Sequence, residues 1–172
     1  MATPLSHLAV PLALGAGLGP ELVPPPVLAL ALLLAALPDI DALGLWLGIP
    51  YAHPLGHRGF THSLPVAFVL AGFSTWAVAG TGVDPLVAFV VLAASAASHG
   101  LLDAATDGGL GVALWSPISS RRHFLRWRVI AVSPLRPAAF FSRQGLRVLV
   151  SEARWIWLPC AVFAACGGLV RS

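Results

Sequence analysis

The stretch Pro85-Leu-Val-Ala-Phe-Val-Val-Leu-Ala-Ala-Ser-Ala-Ala-Ser-His99-Gly-Leu-Leu102, followed at once by Asp103, decides the fold. Nothing in it is charged until its end, and it approaches the roughly 20 apolar residues that a helix needs to cross about 30 Å of hydrocarbon. It closes on an imidazole and a carboxylate four residues apart, hence on one helical face. Four more apolar stretches compete for the same role, Leu5 to Gly19, Leu22 to Leu37, Leu64 to Gly80 and Trp155 to Val170, all short of the full length. Pro11 and three glycines interrupt the first, and Pro24, Pro25 and Pro26 open the second. That pair reads either as two tilted spans or as a re-entrant hairpin packed against protein, whereas the other three read as crossings. With 58% of 172 residues hydrophobic, 10% charged and a mean hydropathy of +0.85, an ordinary soluble domain is excluded. The expectation is an all-α polytopic membrane protein with about four to five transmembrane helices, forming a single domain over residues 1–172.

Charge is scarce and unevenly placed. All ten basic residues are arginine, and eight of them, Arg121, Arg122, Arg126, Arg128, Arg136, Arg143, Arg147 and Arg154, fall between the fourth and fifth stretches, facing only Asp107 and Glu152. By the positive-inside rule this side is cytoplasmic, which puts the N-terminus in and the C-terminus out if all five stretches cross. Trp115, Phe124, Trp127, Phe140 and Phe141 punctuate the same segment, so it is expected to lie along the membrane interface. Within it Arg143, Arg147, Ser151 and Arg154 recur at i, i+4, i+8 and i+11, the pattern of an interfacial amphipathic helix leading into the last span. Cys160 and Cys166 lie in apolar sequence and read as small hydrophobes. Met1 to His7 has no basic residue ahead of its apolar run, so no cleaved secretory signal is expected.

The ligand-type side chains come in four groups: His7; Asp39 and Asp41; His57 and His62; His99 and Asp103. Tracing five crossings puts the start of the first, the end of the second, the start of the third and the end of the fourth on one side, so the groups converge. Each has a bland reading alone. His99 and Asp103 can bond to each other, Asp39 and Asp41 after Pro38 can form an acidic helix-ending loop at the membrane surface, and His7 can face headgroups. Carboxylates at bilayer depth cost about 2.5 to 3.5 kcal/mol, so their grouping asks for a compensating partner, and a divalent cation is one. Four imidazoles and three carboxylates without a thiolate point away from a closed cysteine-type site. They suit zinc, manganese or iron, with zinc or manganese favoured, as one or two ions. Thr106 and Asp107 continue the His99 face, and Asp107 is the candidate general base. Arg58, inside the histidine loop, reads equally as a bidentate clamp for a phosphate and as an anchor to lipid headgroups.

Leu-Pro-Asp39-Ile-Asp41, Gly56-His-Arg-Gly-Phe-Thr-His-Ser-Leu64 and His99-Gly-Leu-Leu-Asp-Ala-Ala-Thr-Asp-Gly-Gly109 together resemble the YdjM-like bacterial inner-membrane proteins, described as metal-dependent hydrolases. The resemblance continues through Trp115-Ser-Pro, Arg121 to Ser133 and Ser151-Glu-Ala-Arg-Trp-Ile-Trp-Leu-Pro159, nearly the whole chain, and the histidine loop is its most specific part. It implies a multi-pass inner-membrane location and a metal-binding role for Asp39, Asp41, His57, His62, His99 and Asp103, with His7 matching an N-terminal histidine. His123 stands where the family pattern has an aromatic residue, and it reads as interfacial.

The expected function is a cytoplasmic-facing, membrane-embedded metal-dependent hydrolase acting on a lipid-like ester, with a phosphoester favoured by the arginines. Asp107 and Arg58 are its candidate catalytic groups and membrane lipids its expected partners, with no direct nucleic-acid binding. The alternative is a non-enzymatic membrane protein in which the polar cluster is a structural knot or a regulatory docking surface. Transport through the cluster ranks last, because the ionisable groups collect at one face instead of at several depths.

Overall fold

The computed structural model describes residues 1–134 and 141–171; Arg136 and Phe140 of the arginine-rich segment lie outside them. Every regular element among the described residues is helical, with two isolated bridges, Thr106 to Ile130 and Val112 to His123. The helices are α1 (Pro4–His7), α2 (Ala9–Leu18), α3 (Pro25–Ala36), α4 (Ala42–Trp46), α5 (Leu64–Ala77), α6 (Pro85–Ala104), α7 (Arg143–Glu152) and α8 (Leu158–Arg171). Local chemistry sets their ends. Proline occupies the first turn of α3, α5 and α6, where no backbone donor is needed. Asp84 caps α6 by accepting from the Leu86 and Val87 amides at 2.8 and 3.1 Å, and Ser142 caps α7 by accepting from Gln144.

Among the described residues three helices are long and apolar enough to cross a membrane: Pro25–Trp46, Pro85–Ala104 and Arg143–Arg171. Pro4–Leu18 and Leu64–Ala77 are shorter apolar helices. The second stretch is therefore more regular, and the third shorter, than its sequence suggests. Pro38 does not break the helix into an acidic surface loop. The chain tightens into a 3-10 turn over Leu37–Asp41 with Pro38 in its first turn, then continues as α4, so Asp41 is buried and Asp39 half-buried. The amphipathic α7 leads into the last apolar helix, as its sequence suggests. It runs on through a π turn over Ala153–Trp157 into α8 as one helix.

Helix α6 is the axis, with α5, α3 and α2 against it and α8 packed on α2. Its faces bury Ala88, Val91, Leu92 and Ala96 with Val27, Ala31 and Leu34 of α3 and Ala67 and Ala71 of α5. The contact between α2 and α8 is backbone-close, since a Cβ on Gly167 would run into the Gly17 backbone. Outward-facing Val69, Phe73 and Trp76 of α5 and Val162, Leu169 and Val170 of α8 stay exposed, the apolar surface that lipid solvates. Residues 105–134 do more than lie along an interface. Val112, Ala113, Leu114 and Ile130 are buried, and the Leu114 carbonyl accepts from Leu64, so this segment caps one end of the bundle while Trp115, Ile118 and Trp127 face outward.

Candidate metal centre

The capped end gathers the ligand-type residues. His7 ends α1, Asp39 and Asp41 sit in the 3-10 turn after α3, His62 ends a 3-10 turn over Phe60–His62 just before α5, and His99 and Asp103 occupy the last turns of α6. Two sets form. His7, Asp39, His99 and Asp103 each offer a ligand atom within 4.8 Å of the others, and so do Asp39, His57 and His62. Asp39 belongs to both. The imidazoles and Asp103 are fully buried, and Asp39, with 16% of its side chain exposed, is the one member open to the outside.

Hydrogen bonds orient the rings. The Nδ1–H of His99 donates to the Ala35 carbonyl at 2.7 Å, and that of His57 donates to Asp41 Oδ1 at 2.6 Å. Nδ1 of His62 lies 3.0 Å from Asp41 Oδ2. Each contact turns Nε2 inward, as a ligating histidine requires. The Nε2 atoms of His62 and His99 consequently meet at 3.1 Å. Two lone pairs cannot face each other so closely unless a cation lies between them, either a proton or a metal. Burial disfavours the His62 cation, yet hydrogen bonds to Asp103, Asp39 and Asp41 push its pKa up to about 10, so a proton and a metal compete for one place.

The donor set fits a divalent ion on a second count. Buried polar atoms without a hydrogen-bond partner concentrate here: both ring nitrogens of His7, Asp39 Oδ1 and His57 Nε2, whereas Asp103 Oδ2 has an ionic contact with Arg58 Nε. Orphan acceptors at this depth are costly, and mixed imidazole and carboxylate donors are what zinc or manganese takes.

Asp41 has a different place from the one its sequence suggests. It stands in neither ligand set; its carboxylate holds His57 and His62 and accepts from Thr61 Oγ1 at 2.6 Å and the Arg58 amide at 3.1 Å. Arg58 is also reassigned, because it is wholly buried and its fork is spent on protein. Nε makes an ionic contact with Asp103 Oδ2 at 2.9 Å, Nη1 donates to the Gly108 carbonyl and Nη2 to Thr106 Oγ1. As placed, it has no exposed surface to offer a phosphate or a headgroup. Its backbone sits at φ 62°, the left-handed region that a non-glycine residue adopts only when its surroundings enforce it. Asp107 is not on the His99 face. Helix α6 ends at Ala104, and the Asp107 carboxylate instead accepts from the Val132 amide and lies 3.4 Å from Arg147. It belongs to neither set of ligand residues.

Three features escaped the sequence. Glu152 is buried and accepts from the Thr3 amide and hydroxyl at 2.5 and 2.7 Å and from Ser6 at 2.9 Å, tying the helix that carries His7 to α7. As the single acid in a basic amphipathic helix, it carried a visible signal. The Ala2 amide donates to Asp103 Oδ1 at 2.8 Å, a backbone contact no side-chain pattern announces. Gly100 lets α6 meet the histidine loop, because a Cβ there would collide with the His62 carbonyl.

No solved structure matches the chain. It is 41% identical over 164 residues to the inner membrane protein YbcI of Escherichia coli (strain K12), an alignment spanning 92% of each chain. The family model described as YdjM inner membrane protein matches residues 1–171. A helical bundle with lipid-facing apolar helices, a buried histidine and aspartate cluster at one end, and these two matches lead to one assignment: the chain is a multi-pass inner-membrane protein and belongs to the YdjM inner membrane protein family.

Proposed function

We propose that the cluster is a two-ion metal centre of a membrane-embedded hydrolase, with Asp39 shared between the ions. His7, His99 and Asp103 would complete one half and His57 and His62 the other, with zinc or manganese as the ion. The observation that carries this is the meeting of two ligand sets at Asp39, each with its donor atoms within 4.8 Å of one another, with His57 Nε2 and the His7 ring nitrogens left without hydrogen-bond partners. A divalent cation supplies Lewis acidity and makes water nucleophilic at neutral pH. The residues of the chain orient and exclude: Asp41 fixes two rings, Arg58 balances Asp103, and the cap over residues 105–134 keeps bulk water from all but Asp39.

The substrate class is an ester or phosphoester of a lipid. Its support is position: the one exposed ligand lies at the end of a lipid-facing helix, and the arginine-rich end exposes Arg121, Arg126, Arg128 and Arg143 where anionic headgroups gather. The topology that goes with this has the five apolar helices crossing and the centre on the cytoplasmic side. Protein purified without chelator should carry divalent metal and release phosphate or acid from a phospholipid or isoprenoid-phosphate panel. Metal-free wild type and a metal-free His62→Ala, Asp103→Ala double variant would sink the reading.

A second reading has its own observation. Ligands so completely buried suit an ion that staples helices together. Under it, stripping the metal lowers the melting temperature while no member of the panel is hydrolysed.

A further inference from the structure

We propose that Arg122 is a positioning residue for the His57 and His62 half of the centre, an inference that rests on the two-ion reading above. The two halves are held differently. His7, His99 and Asp103 stand on α1 and α6, whose own hydrogen-bond ladders fix them. His57 stands in residues 47–59, which form no helix, so its place must be set by contacts from elsewhere.

Arg122 supplies them. Its Nη1 donates to the carbonyls of His57 at 3.0 Å, Arg58 at 3.3 Å and Gly111 at 3.2 Å. Its Nη2 donates to the carbonyls of Tyr51 at 2.7 Å and His53 at 3.4 Å. The guanidinium also lies 5.3 Å from the centre of the Tyr51 ring, which in turn meets the His57 ring edge-on at 5.3 Å. One planar fork thus gathers both ends of the loop and the cap, and it fixes the His57 backbone while Asp41 fixes the ring. Arg122 touches no ligand atom in either set and acts only through the backbone it holds.

The test is titration of metal-free, detergent-purified protein with Zn²⁺ alone, following stoichiometry and affinity by calorimetry and by metal analysis after gel filtration. Wild type should take two ions. Arg122→Gln should keep one ion at wild-type affinity and bind the other about tenfold more weakly or worse, the loss usual when an orienting partner is removed. Arg122→Lys, which returns the charge without the fork, should recover part of that loss, and Arg121→Gln, an exposed neighbour, should leave both ions unchanged. An Arg122→Gln protein that binds both ions as wild type does overturns the inference, and so does equal weakening of both, which would mark Arg122 as a support of the whole fold. A wild type that takes a single ion overturns the two-ion reading itself and, with it, this role for Arg122.

Discussion

The helix-borne and loop-borne halves of the centre use the same side-chain chemistry on opposite mechanical terms. His99 and Asp103 sit four residues apart on a helix that is also the hub of the bundle, so their geometry follows from backbone pitch and core burial. His57 and His62 flank a left-handed arginine in irregular chain, and their geometry follows from side chains reaching in: Asp41 to the rings, Arg58 to Asp103 and Arg122 to the carbonyls. Regular backbone makes a ligand cheap to place and hard to tune. An irregular loop makes it costly to place, and every residue that holds it becomes a point of failure.

The largest expected effect erases the contrast. Asp39→Ala removes the carboxylate common to both sets, so metal content should fall to near zero in each half, measured by metal analysis of the purified protein. Retention of one full equivalent would mean that the halves do not share Asp39. Next, Gly100→Ala should strike at the seam, since its Cβ meets the His62 carbonyl. Overfilling a tight contact typically costs about 1–3 kcal/mol, visible as a lower melting temperature together with weakened metal binding. Unchanged values for both would show that the loop is not pressed on α6. A sharper separation comes from Asp41→Asn, which should weaken the loop-borne ion by about 10- to 100-fold and spare the helix-borne one, read by Zn²⁺ titration. Equal loss in both halves would contradict its assignment as an orienting group. The smallest effect belongs to Asp107→Asn. Its pairing with Arg147 is at the surface, so stability should move by less than about 0.5 kcal/mol and metal content not at all. A clear loss of metal there would restore it to the site.

What was legible in the sequence follows the same divide. The apolar run of α6 with its terminal histidine and aspartate could be read because helical period is a property of the chain alone. The same extrapolation fails four residues later, at Asp107, because the helix stops at Ala104. Pro38 looked like a full break, yet a 3-10 turn accommodates it and carries Asp39 and Asp41 inward. Arg58 looked like a hand for anions because its partner, Asp103, lies far away in sequence and only the folded chain brings the two together. Arg122 was indistinguishable within a run of arginines, since the carbonyls it holds leave no mark on composition. The signal that did reach across distance was topological: which ends of which apolar stretches share a side.

The tie from Glu152 to Thr3 joins residues 149 positions apart, and it has a consequence in time. At about 5 to 20 residues per second, the ribosome makes the partner that anchors the His7 helix roughly 7 to 30 seconds after that helix itself. Through that interval the His7 helix lacks its anchor, so on the two-ion reading metal loading would follow insertion, and a nascent chain stalled ahead of α7 should leave the inserter without bound metal.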